Sequence, residues 1–198
     1  MFGPSKEEIW RQLCAATGAD YVQGGFWKGD KVEASHGEWT LTLDNYVVST
    51  GKVTMVFTRL RAPYINPDRF RFTIYRRGLF SDIAKWLGMQ DVVVGHEDFD
   101  RDFIIKGTDE GKLRALFANP RLRELIAAQP EIHFTVKDRV TAAAGSGFPE
   151  DADELHFHVH GVIKDIERLK LLFELFAETL DQLCRIGSAD AEALKPNR

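Results

Sequence analysis

Residues 38–57, EWTLTLDNYVVSTGKVTMVF, alternate apolar and polar side chains with a period of two. Trp39, Leu41 and Leu43 fall on one side of an extended chain, and Glu38, Thr40 and Thr42 fall on the other. That is the pattern of a strand with one buried face. Val47 and Val48 then meet Val53, Met55 and Phe57 across Ser49, Thr50, Gly51 and Lys52, where Gly51 suits a tight turn. This spacing predicts an antiparallel hairpin, because parallel strands need a crossover of a dozen or more residues.

The two-residue period runs from Tyr21 to Tyr75. Phe70, Phe72 and Ile74 alternate with Arg69, Arg71, Thr73 and Tyr75, which extends the hairpin into an antiparallel meander. Upstream, Ser5 and Glu8 stand at capping-box spacing, Ile9, Leu13 and Ala16 recur at helical intervals, and Gly18 ends the run. Downstream, 79–88 reads as one or two helical turns, and 92–94 and 103–105 read as strand-like. Residues 109–128 form two short helices divided at Asn119-Pro120, since proline disfavours helical geometry in the residue before it. Strands at 132–136 and 155–162 flank a glycine-rich loop.

A long helix over 165–186 closes the pattern. Its stripe of Ile166, Leu169, Phe173, Phe176, Leu180 and Leu183 is widened by Leu171, Leu172 and Leu175. A stripe so broad sinks against a sheet or meets a partner chain, so a homodimer through 165–186 is one expectation. The fold class is α+β: an antiparallel meander packed with an N-terminal helix and a long C-terminal helix. The chain reads as one domain over 1–198, with a β-rich part at 1–107 and a helix-strand-strand-helix part at 108–198.

Composition narrows the classes of function. The chain has 198 residues, of which 44% are hydrophobic and 28% charged, enough apolar content for a packed core. A net charge of −4 gives no global attraction to nucleic acid or anionic lipid, though a local basic patch is compatible with that sum. The first residues lack the basic and apolar runs of a leader, and no window approaches the roughly 18 apolar residues of a spanning helix. A cytoplasmic protein without a membrane span is the expectation. Cys14 and Cys184 lie far apart in helical patterns and read as small core residues.

Residues 153–162, DELHFHVHGV, carry the sharpest chemical feature. Leu155, Phe157 and Val159 point to the core of a strand, which places Glu154, His156, His158 and His160 on its other face. In the preceding strand His133, Thr135 and Lys137 share the corresponding face. If the two strands pair, His133 comes within reach of the row, and imidazoles from adjacent strands can converge on a zinc-sized ion. The plainer reading is an exposed polar sheet face. Zinc or another transition metal is the one cofactor in view.

Two further patterns bear on binding. Asp98, Asp100 and Asp102 have the opening spacing of a calcium loop, but Phe103 stands where glycine is needed and Asp109 where glutamate is. A solvated strand entrance is the better reading. Arg59, Arg61, Arg69, Arg71, Arg76 and Arg77 are concentrated in two strand patterns, and Arg59, Arg69, Arg71 and Tyr75 describe a sheet face able to bind phosphate-rich ligands or single-stranded nucleic acid by pairing and stacking. The alternative is that these arginines pair with local carboxylates. There is no phosphate-binding glycine loop, nucleophile elbow or H-E-x-x-H pattern, so a ligand- or protein-binding module is favoured over an enzyme.

From FTIYRRGLFSDI through HEDFDRDFIIKGTDEGKLRALFANPRLRELI, the order of features resembles a bacterial protein family of unknown function whose members are often membrane-anchored. The matching residues are Phe99, Phe103, Leu113, Leu116, Phe117, Pro120, Leu122 and Leu125, followed by Ile132, Phe134, Leu155 and Phe157. The likeness spans roughly 70–186 and rests on hydrophobic positions. It implies a fold and no catalytic residue, and the histidine row is not part of it.

Overall fold

The structure, a computed structural model, describes residues 4–25, 29–78, 90–138, 149 and 151–191. Helix α1 (Lys6–Thr17) starts at a capping box in which Glu8 N–H donates to Ser5 Oγ and Ser5 N–H to Glu8 Oε2. It stops at Gly18, whose φ of 74° is open to glycine without strain. Five strands follow: β1 (Asp20–Val22), β2 (Lys31–His36), β3 (Trp39–Ser49), β4 (Thr54–Ile65) and β5 (Phe72–Arg76). The register of β3 on β4 runs from Thr42 opposite Arg61 to Ser49 opposite Thr54, which leaves 50–53 as the turn.

Next come α2 (Glu97–Asp102), β6 (Phe103–Gly107), α3 (Glu110–Phe117) and α4 (Pro120–Ala127). Helix α4 begins with proline at its first turn, and Asn119 Oδ1 accepts from the backbone of Arg121 and Leu122. Strands β7 (His133–Asp138) and β8 (Ala152–His160) precede the last helix, α5 (Ile166–Arg185), capped by Asp165.

All eight strands belong to one antiparallel sheet in the order β1-β2-β3-β4-β8-β7-β5-β6. The first four follow the meander. The chain then fills the sheet from its far side, and β8 closes the gap against β4. One cluster of buried side chains runs through both halves of the chain, and Cys14 and Cys184 pack at its margin.

One face of the sheet is apolar. Val32, Leu43, Leu60, Phe157, Phe134, Ile74 and Ile105 succeed one another across seven strands, each 0–1% exposed. Helices cover it: Phe134 meets Phe176 of α5 with ring centroids 5.3 Å apart, and Phe72 meets Phe117 of α3 at 5.9 Å. The broad stripe of α5 is spent here, since Leu169, Leu172, Leu175, Phe176, Leu180 and Leu183 are all fully buried within the chain. Among the described residues no helix is long and apolar enough to cross a membrane.

Three local expectations change. Residues 92–94 form no strand, although Val92 N–H donates to Ile105 O. The strand read from Phe70 starts at Phe72, because the chain turns through Arg69 at a φ of 57°. The acidic stretch is helical over Glu97–Asp102 and leads directly into β6 at Phe103, so the strand entrance is a turn of helix and not extended chain. Asp100 makes it one by accepting from the backbone N–H groups of Val94, Gly95 and His96 at 2.8–2.9 Å. That carboxylate is thereby committed to structure. The helical turns read at 79–88, and most of the glycine-rich loop, lie outside the described residues.

Candidate ligand-binding face

The second face of the sheet carries the polar chemistry, arranged by register. Lys31, Asp44, Arg59 and His158 stand opposite one another on β2, β3, β4 and β8. His133 of β7 continues the row, its ring 4.5 Å from that of His158. A second row comprises Glu33, Thr42, Arg61, His156, Thr135, Thr73 and Lys106. Side chains opposite each other across strands lie close enough to interact directly, so each row works as a chain of contacts.

Asp44 is the hub. Its carboxylate accepts from Arg59 Nε at 2.8 Å and Arg59 Nη2 at 2.7 Å, and from Arg61 Nη2 at 3.0 Å. These hydrogen bonds raise the Arg59 guanidinium above its ordinary value. Two guanidiniums thus share one carboxylate, while Lys31 pairs with Glu33 at 2.6 Å and the Glu154 charge also acts on Arg59. Arg59, Arg61, Asp44 and Lys31 line a cleft of about 570 Å³, closed on one side by Gln23, Gly24 and Gly25 after β1. Arg61 Nε, Asn45 Oδ1 and His156 Nε2 are buried and meet no hydrogen-bond partner among the described residues.

The histidine row is not the exposed face that its period implies. His156 is only 4% exposed, and its Nδ1–H donates to Glu154 Oε1 at 2.9 Å. That bond makes Nε2 the acceptor nitrogen. Burial lowers the His156 imidazole from its ordinary value and drives His158 down to about 3, helped by the neighbouring His133, His156, Lys137 and Arg59. Both rings are therefore neutral at pH 7. His133 Nδ1 and His158 Nδ1 lie 3.2 Å apart, one donating to the other. His160 is exposed and sits edge-on to Phe57 at 5.6 Å. Among the described residues, no three His, Cys, Asp or Glu side chains gather as a metal-ligand set.

Of Arg59, Arg69, Arg71 and Tyr75, read above as one sheet face, only Arg59 reaches the cleft. Arg71 donates to both oxygens of Asp153 at 2.9 Å and pairs with Asp138 at 3.1 Å, in the manner of the carboxylate-pairing alternative. Arg69 is exposed in the turn before β5. Tyr75 is 4% exposed and offers no ring for stacking. Arg61, one of the arginines concentrated in the strand patterns, also lines the cleft, while Lys31 and Asp44 are the site residues that the period did not single out. A second hollow of about 460 Å³ lies between α2 and α4, where Arg123 donates to His96 Nε2 at 2.9 Å and to the carbonyls of Phe117 and Ala118. Those bonds occupy Arg123, the one arginine or lysine among its described lining residues.

No protein-family model and no curated protein matches the sequence. Among solved structures, the crystal structure of the mycobacterial trehalose monomycolate transport factor A, TtfA, is similar over 97% of this chain and 98% of that chain. The TM-score is 0.52 and the sequence identity 10%. The likeness is one of fold.

Proposed function

We propose that this chain is a binding module, not an enzyme, and that it takes an anionic ligand, bearing phosphate or carboxylate, in the cleft at Arg59 and Arg61. The observation that carries the reading is the sharing of Asp44 between two guanidiniums on the wall of an open cleft. Arg59 is held in place by its bidentate pair, while Arg61 keeps donors free of Asp44 for an incoming oxygen. The structural neighbour is named as a transport factor, and a binding or transport-related role here is in keeping with it. The choice of ligand class comes from the residues.

Calorimetric titration of the full chain with inorganic phosphate at low ionic strength tests this. Binding should weaken as salt is added. Arg61→Gln, which leaves the Arg59–Asp44 pair intact, should reduce affinity about ten- to a hundredfold, the worth of a charge-assisted hydrogen bond. Absence of phosphate binding, or equal binding by Arg61→Gln, overturns the reading.

A second reading rests on the paired imidazoles. Two nitrogens bound to one tetrahedral zinc at 2.0–2.1 Å sit about 3.3–3.4 Å apart, and His133 Nδ1 and His158 Nδ1 stand at 3.2 Å. A metal would have to replace the proton that the two nitrogens share, after which they could supply two corners of a transition-metal site, the others falling to solvent or ligand. Elemental mass spectrometry of tag-free protein decides it: stoichiometric metal lost in His158→Ala supports the site, and its absence from the parent protein removes it.

A further inference from the structure

We infer that the ligand of this face is an amphiphile, with its anionic head at Arg59 and Arg61 and an alkyl chain laid along β3 and β4 towards their turn. The inference rests on the reading of the cleft as an anion site and adds the class of molecule that fills it.

Three bands follow one another on the same face of the β3–β4 ribbon. The first is ionic, with Asp44 opposite Arg59. Two residues on, Tyr46 lies opposite Phe57 and the rings stack, with centroids 5.2 Å apart and planes 14° from parallel. Arg59 also caps the Tyr46 ring at 4.9 Å, so the ionic and aromatic bands are in contact. Two residues further, Val48 lies opposite Met55, and Val48 is 36% exposed. The turn beyond adds Val53, 54% exposed.

The sequence of bands follows from strand geometry. Same-face neighbours along a strand are about 6.6–6.8 Å apart, so Arg59 and Met55 are separated by about 13 Å. The ribbon also outruns its neighbours: pairing with β2 ends at Asp44, and the chain leaving β8 follows β4 as far as Phe57 and Val56, where Gly161 bridges Phe57 and its N–H donates to Val56 O at 2.7 Å. Its apolar end at Val48 and Met55 therefore extends past those partners, four residues along each strand from Asp44 and Arg59, which line the cleft. Phe57 already packs against Tyr46, His158 and His160, so a purely ionic ligand would leave only the exposed Val48 and Val53 at the ribbon's end uncovered, and a purely apolar one would not engage the guanidiniums beyond their pairing with Asp44. A molecule charged at one end and apolar along its length complements all three bands. Amphipathic aromatic side chains suit the junction between them.

The experiment compares inorganic phosphate, butyl phosphate and octyl phosphate, each below its micelle concentration, by calorimetry on the full chain. Each methylene that becomes fully buried tightens binding about fourfold. An open ribbon covers one side of the chain, so octyl phosphate should bind at least tenfold tighter than butyl phosphate. Met55→Gln should abolish that gain yet bind inorganic phosphate like the parent protein, since the residue lies remote from the guanidiniums. Equal affinity for the three ligands overturns the inference and leaves the anion site standing. A gain that survives in Met55→Gln overturns it too, because the chain then lies elsewhere. Failure of inorganic phosphate to bind removes both readings together. Self-association of the protein that Met55→Gln abolishes, without dependence on chain length, assigns the ribbon to a contact between copies instead.

Discussion

Asparagine at position 44 should lower stability and raise anion affinity at once, an opposition that few other substitutions in this chain would produce. Asp44→Asn preserves the size of the side chain and removes the charge shared by Arg59 and Arg61. Asp44 is 13% exposed and the two arginines 25% and 33%. Breaking a fully buried pair costs about 3–5 kcal/mol and breaking an exposed one about 0–1 kcal/mol. Partial exposure on the arginine side places the loss near 2 kcal/mol on that scale, or about 4–8 °C in Tm for a chain of this size. For the ligand, a carboxylate in contact with the same guanidiniums repels an incoming anion. At about 4 Å that repulsion is about 1 kcal/mol with the screening of bulk water and about 4 kcal/mol at the intermediate dielectric of a protein surface. Even the smaller value tightens binding about fivefold. Urea denaturation and phosphate calorimetry on the same preparation read both quantities. A folded Asp44→Asn protein whose phosphate affinity is unchanged or reduced would refute the placement of the anion at the guanidiniums.

Other expectations follow from the same contacts. His158 is neutral in the folded chain down to about pH 3, whereas an unfolded histidine takes up its proton near pH 6.5. The unfolded state therefore binds the extra proton between those values, and stability should erode as pH falls from about 6.5 towards 3. His158→Gln should flatten this limb of the urea midpoint against pH, and an unchanged slope would assign it to other groups. Gly107→Ala places a Cβ 2.9 Å from Arg71 O and 2.9 Å from a Leu113 methyl. Such overpacking should cost about 1–3 kcal/mol, and an unshifted thermal midpoint would show that β6 can move aside. Phe176→Ala empties a fully buried position against Phe134 and should cost about 3–5 kcal/mol in urea. A loss below about 1 kcal/mol would mean that α5 is not the main cover of the sheet.

The sequence carried the elements well and their neighbours less well. Hairpin β3–β4 was legible because period two, Gly51 and a short connection all act within twenty residues. The same turn even implied the hub of the site, since Ser49 opposite Thr54 sets Asp44 opposite Arg59. Nothing in the sequence marks Asp44 as that hub, because a lone aspartate on a wet strand face carries no motif. Arg69, Arg71 and Tyr75 were grouped with Arg59 by composition, yet a left-handed turn at Arg69 and the Asp153 pair at Arg71 disperse them. The histidines show the same limit. Alternation fixes which side of β8 they occupy, but burial depends on what lies on either flank, and both β4 and β7 are joined to β8 by long-range pairing.

The central position of β8 also bears on how the chain acquires its structure. Thr58 pairs with Val159, so the inner edge of β4 waits for roughly a hundred further residues before its partner exists, and non-local pairings of this kind fold slowly. During synthesis, at about 5–20 residues per second, the hairpin and its apolar ribbon are complete seconds before β8 emerges. An unpaired edge in that interval is a template for another chain. The strand that completes the binding face is thus also the one that ends the exposure, and conditions that delay it should divert the protein into aggregates while the finished fold remains stable.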